Sequence, residues 1–202
     1  MDYLEIAAFI GTFAFALSGA LVGIRKNFDM MGVFILAFLT SSGGGAIRDI
    51  CLNKTPSFLI DITPYVITIL IIMVFKFLAI DHSKHRFEEK VVFIISDTAG
   101  LIAFAINGAL QGVMSELSFF GVLTICFITS VGGGIIRDML INDIPSTLQL
   151  GFYGSIAIII GSLVYAIDYF GLDSKIFIPI VFIFGIILRL GTYHKKVRLP
   201  SL

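Results

Sequence analysis

The chain has 202 residues, of which 57% are hydrophobic and only 14% are charged. A soluble domain has about 25% charged residues, so this composition excludes an ordinary soluble globular protein and indicates an integral membrane protein. The formal net charge is zero, so the chain lacks the basic field that nucleic-acid-binding proteins use, and we expect no nucleic acid as a partner.

Seven apolar segments could cross a membrane, since a spanning helix needs about 20 mostly apolar residues. They are, at about these residues, 3–24, 29–52, 59–80, 91–113, 118–141, 149–170 and 174–191. The alternation of apolar and polar residues that a β-barrel requires is missing, so we predict an all-α integral membrane protein with seven transmembrane helices.

Basic residues indicate the orientation of these spans, because they collect on the cytoplasmic side. They follow the first, third and seventh spans. Because successive spans cross the membrane in alternating directions, the C-terminal ends of these three spans lie on the same side. We therefore predict that the N-terminus lies outside and the C-terminus in the cytoplasm. The basic residues are Arg25 and Lys26, then Lys84, Arg86 and Lys90, then Lys195, Lys196 and Arg198.

The motif Gly-Gly-Gly-x-x-Arg-Asp occurs twice, at residues 43–49 and 132–138. A shift of 89 residues aligns the chain with itself without a gap and gives 21 identities across residues 11–56. The repeat unit holds three spans, an odd number, so its second copy must be inverted, as in many transporters. The predicted units are a first transmembrane repeat at 1–80, a polar cytoplasmic linker at 81–90, an inverted repeat at 91–170, and a seventh span with a short basic tail at 171–202.

Three consecutive glycines lie near the centres of the second and fifth spans. Each costs about 1 kcal/mol against alanine in a helix interior, so we predict that both helices are kinked or broken there. Carbonyl groups freed in this way must be buried in protein or face a water-filled cavity, where they can bind monovalent cations. The alternative is that the glycines serve only close helix packing.

Neighbouring polar groups would line the same cavity, and we expect transient binding of K⁺ or Na⁺ at the glycines without a tightly bound metal. The predicted pore and kink residues are Gly43, Gly44, Gly45, Gly132, Gly133, Gly134, Thr40, Ser41, Ser42, Thr129, Ser130, Ser18 and Asn107.

Ionisable residues inside the membrane are rare and usually functional. The chain places Arg48 with Asp49, and Arg137 with Asp138, one helical turn after the glycines. Two interpretations stay open, a charged gate in a pathway and ion pairs that brace the helices. Asp97 is a third intramembrane acid, and it would give the inner half of a pathway an attraction for cations.

With two copies of this motif in inverted three-span repeats and a seventh span, the chain resembles the trimeric intracellular cation (TRIC) channel family. The resemblance is to its bacterial and archaeal branch, which is also described as a glycine-transporter domain family. It implies a homotrimer in the lipid of a prokaryotic inner (cell) membrane, with one pore in each protomer. The pore would be lined by helices 1, 2, 4 and 5 and would conduct monovalent cations, potassium above all.

Three functions remain possible at this stage. The first is the potassium-permeable channel, and the second is an alternating-access carrier for a small zwitterion such as glycine, whose carboxylate Arg48 or Arg137 would hold. The third is a scaffold whose polar centre is only structural. No nucleophile motif, metal-binding motif or nucleotide-binding loop occurs in the sequence, so we expect neither an enzyme nor a cofactor.

Overall fold

The structure is a computed structural model that describes residues 3–78, 86–149 and 152–195, and every regular element in these ranges is helical. The helices are α1 (Tyr3–Arg25), α2 (Met30–Cys51), α3 (Thr63–Leu78), α4 (Arg86–Met114), α5 (Phe119–Leu140), α6 (Ser146–Gln149), α7 (Tyr153–Tyr169) and α8 (Ser174–His194), with a 3₁₀ turn at Ser57–Leu59. The first half of the predicted linker and the predicted basic tail beyond Lys195 lie outside the described residues.

Apolar helices occur at all seven predicted spans, which confirms the all-α membrane fold class. Five of them, α1, α2, α4, α5 and α8, are long and apolar enough to cross a membrane by length and composition. The other two, α3 and α7, are shorter apolar helices. They start four residues later than predicted, and the 3₁₀ turn and α6 each end at the first residue of those segments. Helix α4 begins at Arg86, inside the predicted linker.

The same backbone turns recur at the 89-residue shift found in the sequence. Helices α2 and α5 begin and end at equivalent positions. Each is followed by an asparagine with positive φ, 54° at Asn53 and 57° at Asn142. Each is also capped at its start by the side chain of an equivalent residue, Asp29 for α2 and Ser118 for α5. The two segments therefore use the same capping and turn geometry.

Equivalent helices pack against each other in antiparallel fashion. Gly11 of α1 lies against Phe104 of α4, while Gly100 of α4 lies against Phe15 of α1. Residue numbers thus rise along one helix where they fall along the other. Helices α2 and α5 show the same order, because Gly43 lies against Ile136 whereas Ile47 lies against Gly132.

Both glycine runs lie inside uninterrupted α-helices, so the predicted break is wrong. The glycines instead allow α2 and α5 to touch. A Cβ atom on Gly44 would collide with the carbonyl oxygen of Thr129, and one on Gly133 would collide with that of Thr40. The close-packing alternative therefore explains these two glycines, and a bend within an unbroken helix stays a prediction.

We predict that Gly44→Ala lowers the free energy of unfolding by about 1–3 kcal/mol, the usual cost of overpacking. Gly45→Ala is the matched control, because its added methyl would lie 3.7 Å from Nη2 of Arg48, an ordinary contact. Thermal unfolding in detergent, followed by circular dichroism, measures both variants. Equal melting temperatures would contradict the close contact between α2 and α5.

Candidate functional site

The first charged cluster is built around Arg48, which is 6% exposed. Its Nε and Nη2 donate to Oδ1 of Asp49 at 2.8 and 2.6 Å. Its Nη1 donates to Oδ1 of Asn107 on α4, and Nη2 also donates to the Ser57 hydroxyl at 3.2 Å. The other carboxylate oxygen of Asp49 accepts from the backbone N–H and the hydroxyl of Ser57 at 2.7 and 2.6 Å. The guanidinium of Arg48 therefore forms an ion pair within its own repeat and a hydrogen bond to α4 of the second repeat.

The second cluster repeats this arrangement around Arg137, which is fully buried. Its Nε donates to Oδ1 of Asp138 at 2.8 Å. Its Nη1 donates to the Ser18 hydroxyl on α1 and to Oδ1 of Asp97 at 2.8 Å. Oδ2 of Asp138 accepts from the backbone N–H and the hydroxyl of Ser146 at 2.7 and 2.9 Å. Each arginine thus pairs both with the aspartate beside it and with a polar group on another helix.

The two clusters differ in formal charge. Ser18 is the counterpart of Asn107 under the 89-residue shift, so both clusters contain one neutral partner from the opposite repeat. Asp97 has no acidic counterpart, because Ala8 stands at the matching position. Counted over these hydrogen-bonded residues, the first cluster is therefore formally neutral, whereas the second carries one net negative charge.

The clusters lie on opposite sides of the contact between α2 and α5. Each arginine follows its contact glycine by four residues, which is about 6 Å along a helix, and the two helices are antiparallel. The structure therefore brings together Ser18, Asp97 and Asn107 with the two Arg-Asp pairs, which were predicted separately.

The hydroxyl groups beside the glycines, which we predicted to line a cavity, mostly bond to carbonyl oxygens of their own helices. Thr40 and Thr129 donate to the carbonyl oxygens of Leu36 and Ile125, four residues earlier, at 2.6 Å each. The serines behave similarly, with Ser41 donating to Phe38 O and Ser130 to Phe127 O at 3.0 Å. The hydroxyl of Ser42 has no hydrogen bond within the described ranges. These groups lie in helix contacts and do not bond to the arginines.

Several site residues escaped the sequence reasoning. Ser57 and Ser146 complete the clusters. The sequence could have indicated them, since the Pro-Ser pair at 56–57 recurs 89 residues later at 145–146. Phe15 and Phe104 are also equivalent, and their buried rings pack edge to face with centroids 5.3 Å apart. Phe15 additionally lies beside Gly133, which places this aromatic pair next to the contact between α2 and α5.

Two buried polar atoms lie beside Gly134. A Cβ there would lie 3.3 Å from the Tyr153 hydroxyl and 3.9 Å from Nη2 of Arg137. Neither atom has a hydrogen bond within the described part of the chain. The guanidinium of Arg189 stacks over the Tyr153 ring at 4.6 Å, which adds a second positive charge.

Among the described residues, no group of three or more His, Cys, Asp and Glu side chains could hold a metal ion. The polar centre consists of ion pairs and hydroxyl or amide groups, which can stabilise charge without covalent chemistry.

We predict that Asp49→Asn destabilises the protein more than Asp138→Asn does. Asp49 is the one carboxylate paired with Arg48 in the described ranges, and leaving a buried charge unpaired costs about 3–5 kcal/mol. Arg137 keeps its pair with Asp97 when Asp138 is replaced. Thermal unfolding tests the ranking, with the exposed Asp61→Asn as control, and the reverse order would contradict it.

Comparison with known proteins supports one family over nearly the whole chain. The family model described as Glycine transporter matches residues 5–81 and 94–169. A UPF0126 membrane protein of Deinococcus radiodurans is 41% identical over 139 residues, which are 69% of this chain and 63% of that protein. The UPF0126 membrane protein YvgT of Bacillus subtilis is 32% identical over 201 residues, 98% of this chain and 95% of that protein. The UPF0126 inner membrane protein YadS of Escherichia coli is 31% identical over 195 residues, 95% of this chain and 92% of that protein.

Solved structures agree with this assignment. A prokaryotic TRIC channel crystallised in 0.5 M KCl superposes with a TM-score of 0.87 at 30% identity, covering 97% of this chain and 98% of that one. The TRIC trimeric intracellular cation channel orthologue from Rhodobacter sphaeroides superposes with a TM-score of 0.85 at 26% identity, covering 98% and 100%. The doubled motif, the fold and these matches lead to one conclusion: the chain belongs to the prokaryotic branch of the TRIC channel family, which the Glycine transporter family model describes.

Proposed function

We propose that this protein is a monovalent cation channel, permeable to potassium, with one pore in each protomer of a homotrimer. The observation that supports it most is the pair of buried Arg-Asp clusters on opposite sides of the α2–α5 contact. Each cluster is completed by a polar side chain from the opposite repeat. The proteins that the chain superposes on are described as cation channels.

The proposed pore runs along the contact between the two repeats and is lined by α1, α2, α4 and α5. These four helices supply the arginines, their aspartates and the neutral partners Ser18 and Asn107. The antiparallel packing of α1 with α4, and of α2 with α5, supports inverted repeats in the membrane. With the N-terminus outside, the Arg137 cluster lies in the inner half of the pore.

The conformation described here is assigned to a closed state. Phe15 and Phe104 fill the space near the contact between α2 and α5, and each packs where the opposite helix has a glycine. Both arginines pair with carboxylates and donate to hydroxyl or amide groups. Conduction therefore requires these rings to move and water to enter beside the charged clusters.

Recording from purified protein in planar bilayers tests the proposal. We expect discrete unitary currents that reverse near the potassium equilibrium potential under a tenfold KCl gradient. Ser162→Ala is the control variant and should leave the currents unchanged, because its hydroxyl bonds only to Ile158 O within α7 among the described contacts. Silent bilayers with confirmed incorporation would exclude the channel.

The charge difference between the clusters predicts unequal currents in the two directions. Asp97→Asn removes the extra negative charge, so the current–voltage relation should become more symmetric and the conductance lower. Ala8→Asp places a carboxylate at the matching position, so the relation should again become more symmetric, with higher conductance. Unchanged rectification in both variants, with unchanged circular dichroism, would show that Asp97 does not shape the ion path.

The carrier function remains the second candidate because two buried donors beside Gly134 have no hydrogen bond within the described residues. The free Nη2 of Arg137 and the free Tyr153 hydroxyl could both donate to a carboxylate there. Uptake of labelled glycine into proteoliposomes would then saturate with concentration, and Tyr153→Phe would weaken it at least several-fold. Linear uptake that Tyr153→Phe leaves unchanged would exclude the carrier.

A further inference from the structure

Helix α8 lies outside the duplication and packs against α4 and α7 of the second repeat. Gly185 lies in this contact, since a Cβ there would lie 2.8 Å from Ile102 and 2.9 Å from Ile160. One helical turn later, α8 carries Arg189, which is 4% exposed. Helix α8 therefore places a buried cation beside the second repeat.

Arg189 has neither a paired carboxylate nor a full set of hydrogen bonds. Its guanidinium stacks over the rings of Tyr153 and Tyr193, at 4.6 and 6.0 Å from the ring centroids. Its Nε has no hydrogen bond within the described part of the chain. None of the ion pairs among the described residues includes Arg189. Because a buried charge needs compensation, its balancing charge must lie farther away.

Tyr153 connects Arg189 to the second charged cluster. The face of its ring contacts the Arg189 guanidinium, and its hydroxyl lies beside Gly134. Nη2 of Arg137 also lies beside Gly134, and Nη1 of Arg137 donates to Asp97 at 2.8 Å. A continuous row of buried groups therefore runs from α8 through α7 and α5 to Asp97 on α4.

Three members of this row have no equivalent in the first repeat. Ala8 stands at the position that matches Asp97, and Pro64 stands at the position that matches Tyr153. Arg189 belongs to the helix outside the duplication. The extra acid, the extra base and the aromatic ring that holds the base therefore occur together at one cluster.

Arg189 changes the charge balance of the second cluster. The hydrogen-bonded residues include one arginine and two aspartates, which gives one net negative charge. With Arg189 the sum becomes two arginines and two aspartates, which is formally zero. Arg189 lies farther from Asp97 than Arg137 does, since only Arg137 forms an ion pair with it. Arg189 therefore offsets the Asp97 charge only in part.

We infer that Arg189 is the countercharge of Asp97, and that the two residues together set how strongly the inner cluster attracts cations in the proposed channel, on which this inference rests. Asp97 attracts a permeating cation, and Arg189, held on the Tyr153 ring, limits this attraction. Arg189 acts through its charge and does not contact the cation. Helix α8 thereby contributes to conduction, although it lies outside the four helices proposed to line the pore.

Rectification in planar bilayers tests the opposing effects of the two charges. In symmetric KCl, Arg189→Gln should strengthen rectification about twofold or more, since a unit charge at ~10 Å exceeds the thermal energy even at an effective dielectric constant of about 20. Asp97→Asn should weaken rectification, and the double variant should return towards the wild-type value. Arg189→Lys keeps the charge and should keep the wild-type value. Shifts in the same direction, or wild-type rectification in Arg189→Gln, would overturn the inference.

Thermal unfolding in detergent provides a measurement that does not depend on ion flux. If the two buried charges compensate each other, the double variant of Asp97→Asn with Arg189→Gln should lose less melting temperature than the sum of the two single losses. Lys175→Gln is the matched control, because it removes an exposed positive charge from the same helix and should be additive with Asp97→Asn. Additive losses for Arg189→Gln would overturn the inference.

The yield of folded protein decides the case in which Arg189→Gln alone does not fold. Recovery of folded protein when Asp97→Asn is added would support the inference, and no recovery would overturn it. A wild-type protein that is electrically silent but shows the non-additive melting would refute the proposed channel, and would leave Arg189 as the structural countercharge of Asp97.

Discussion

The contact between α2 and α5 is the constraint on which the rest of the structure depends. Gly44 and Gly133 bring each helix against a backbone carbonyl of the other, so that neither position has room for a methyl group. Because the two backbones are in direct contact at these glycines, one helix cannot shift without displacing the other. The third glycine of each run faces the guanidinium of its own arginine, which has room to fold back beside the helix.

Burial of two arginines follows from this geometry and requires compensation. A charge removed from water is tolerated only when ion pairs and hydrogen bonds replace its hydration. The adjacent aspartate supplies the opposite charge. Its second carboxylate oxygen accepts hydrogen bonds from a serine in the segment after the helix, Ser57 for Asp49 and Ser146 for Asp138. The remaining donors reach across to the other repeat through Asn107 or Ser18. The same interactions thus connect residues within each repeat and join the two repeats, while the bracing role and the gating role of the arginines both stay predictions.

The two repeats differ at two places, the acid Asp97 in the second charged cluster and the face that helix α8 covers. Asp97 adds a carboxylate to the second cluster, where it accepts from Nη1 of Arg137 together with Ser18, and Nη2 has no hydrogen bond among the described residues. Helix α8 covers the second repeat only, so the first repeat keeps an open apolar face. These differences distinguish the two repeats from each other, which a perfect duplication would not do.

The sequence alone determined the membrane class, the seven apolar helices, the duplication and the two Arg-Asp pairs. Hydrophobic length and a gap-free internal repeat can be read from the chain itself, and they do not depend on which helices meet. Only the tertiary structure decided the function of the glycines, since a run of glycines is compatible with a broken helix or with a close contact. It also decided the partners of Arg48 and Arg137, because a guanidinium can reach groups on several helices and the packing selects among them.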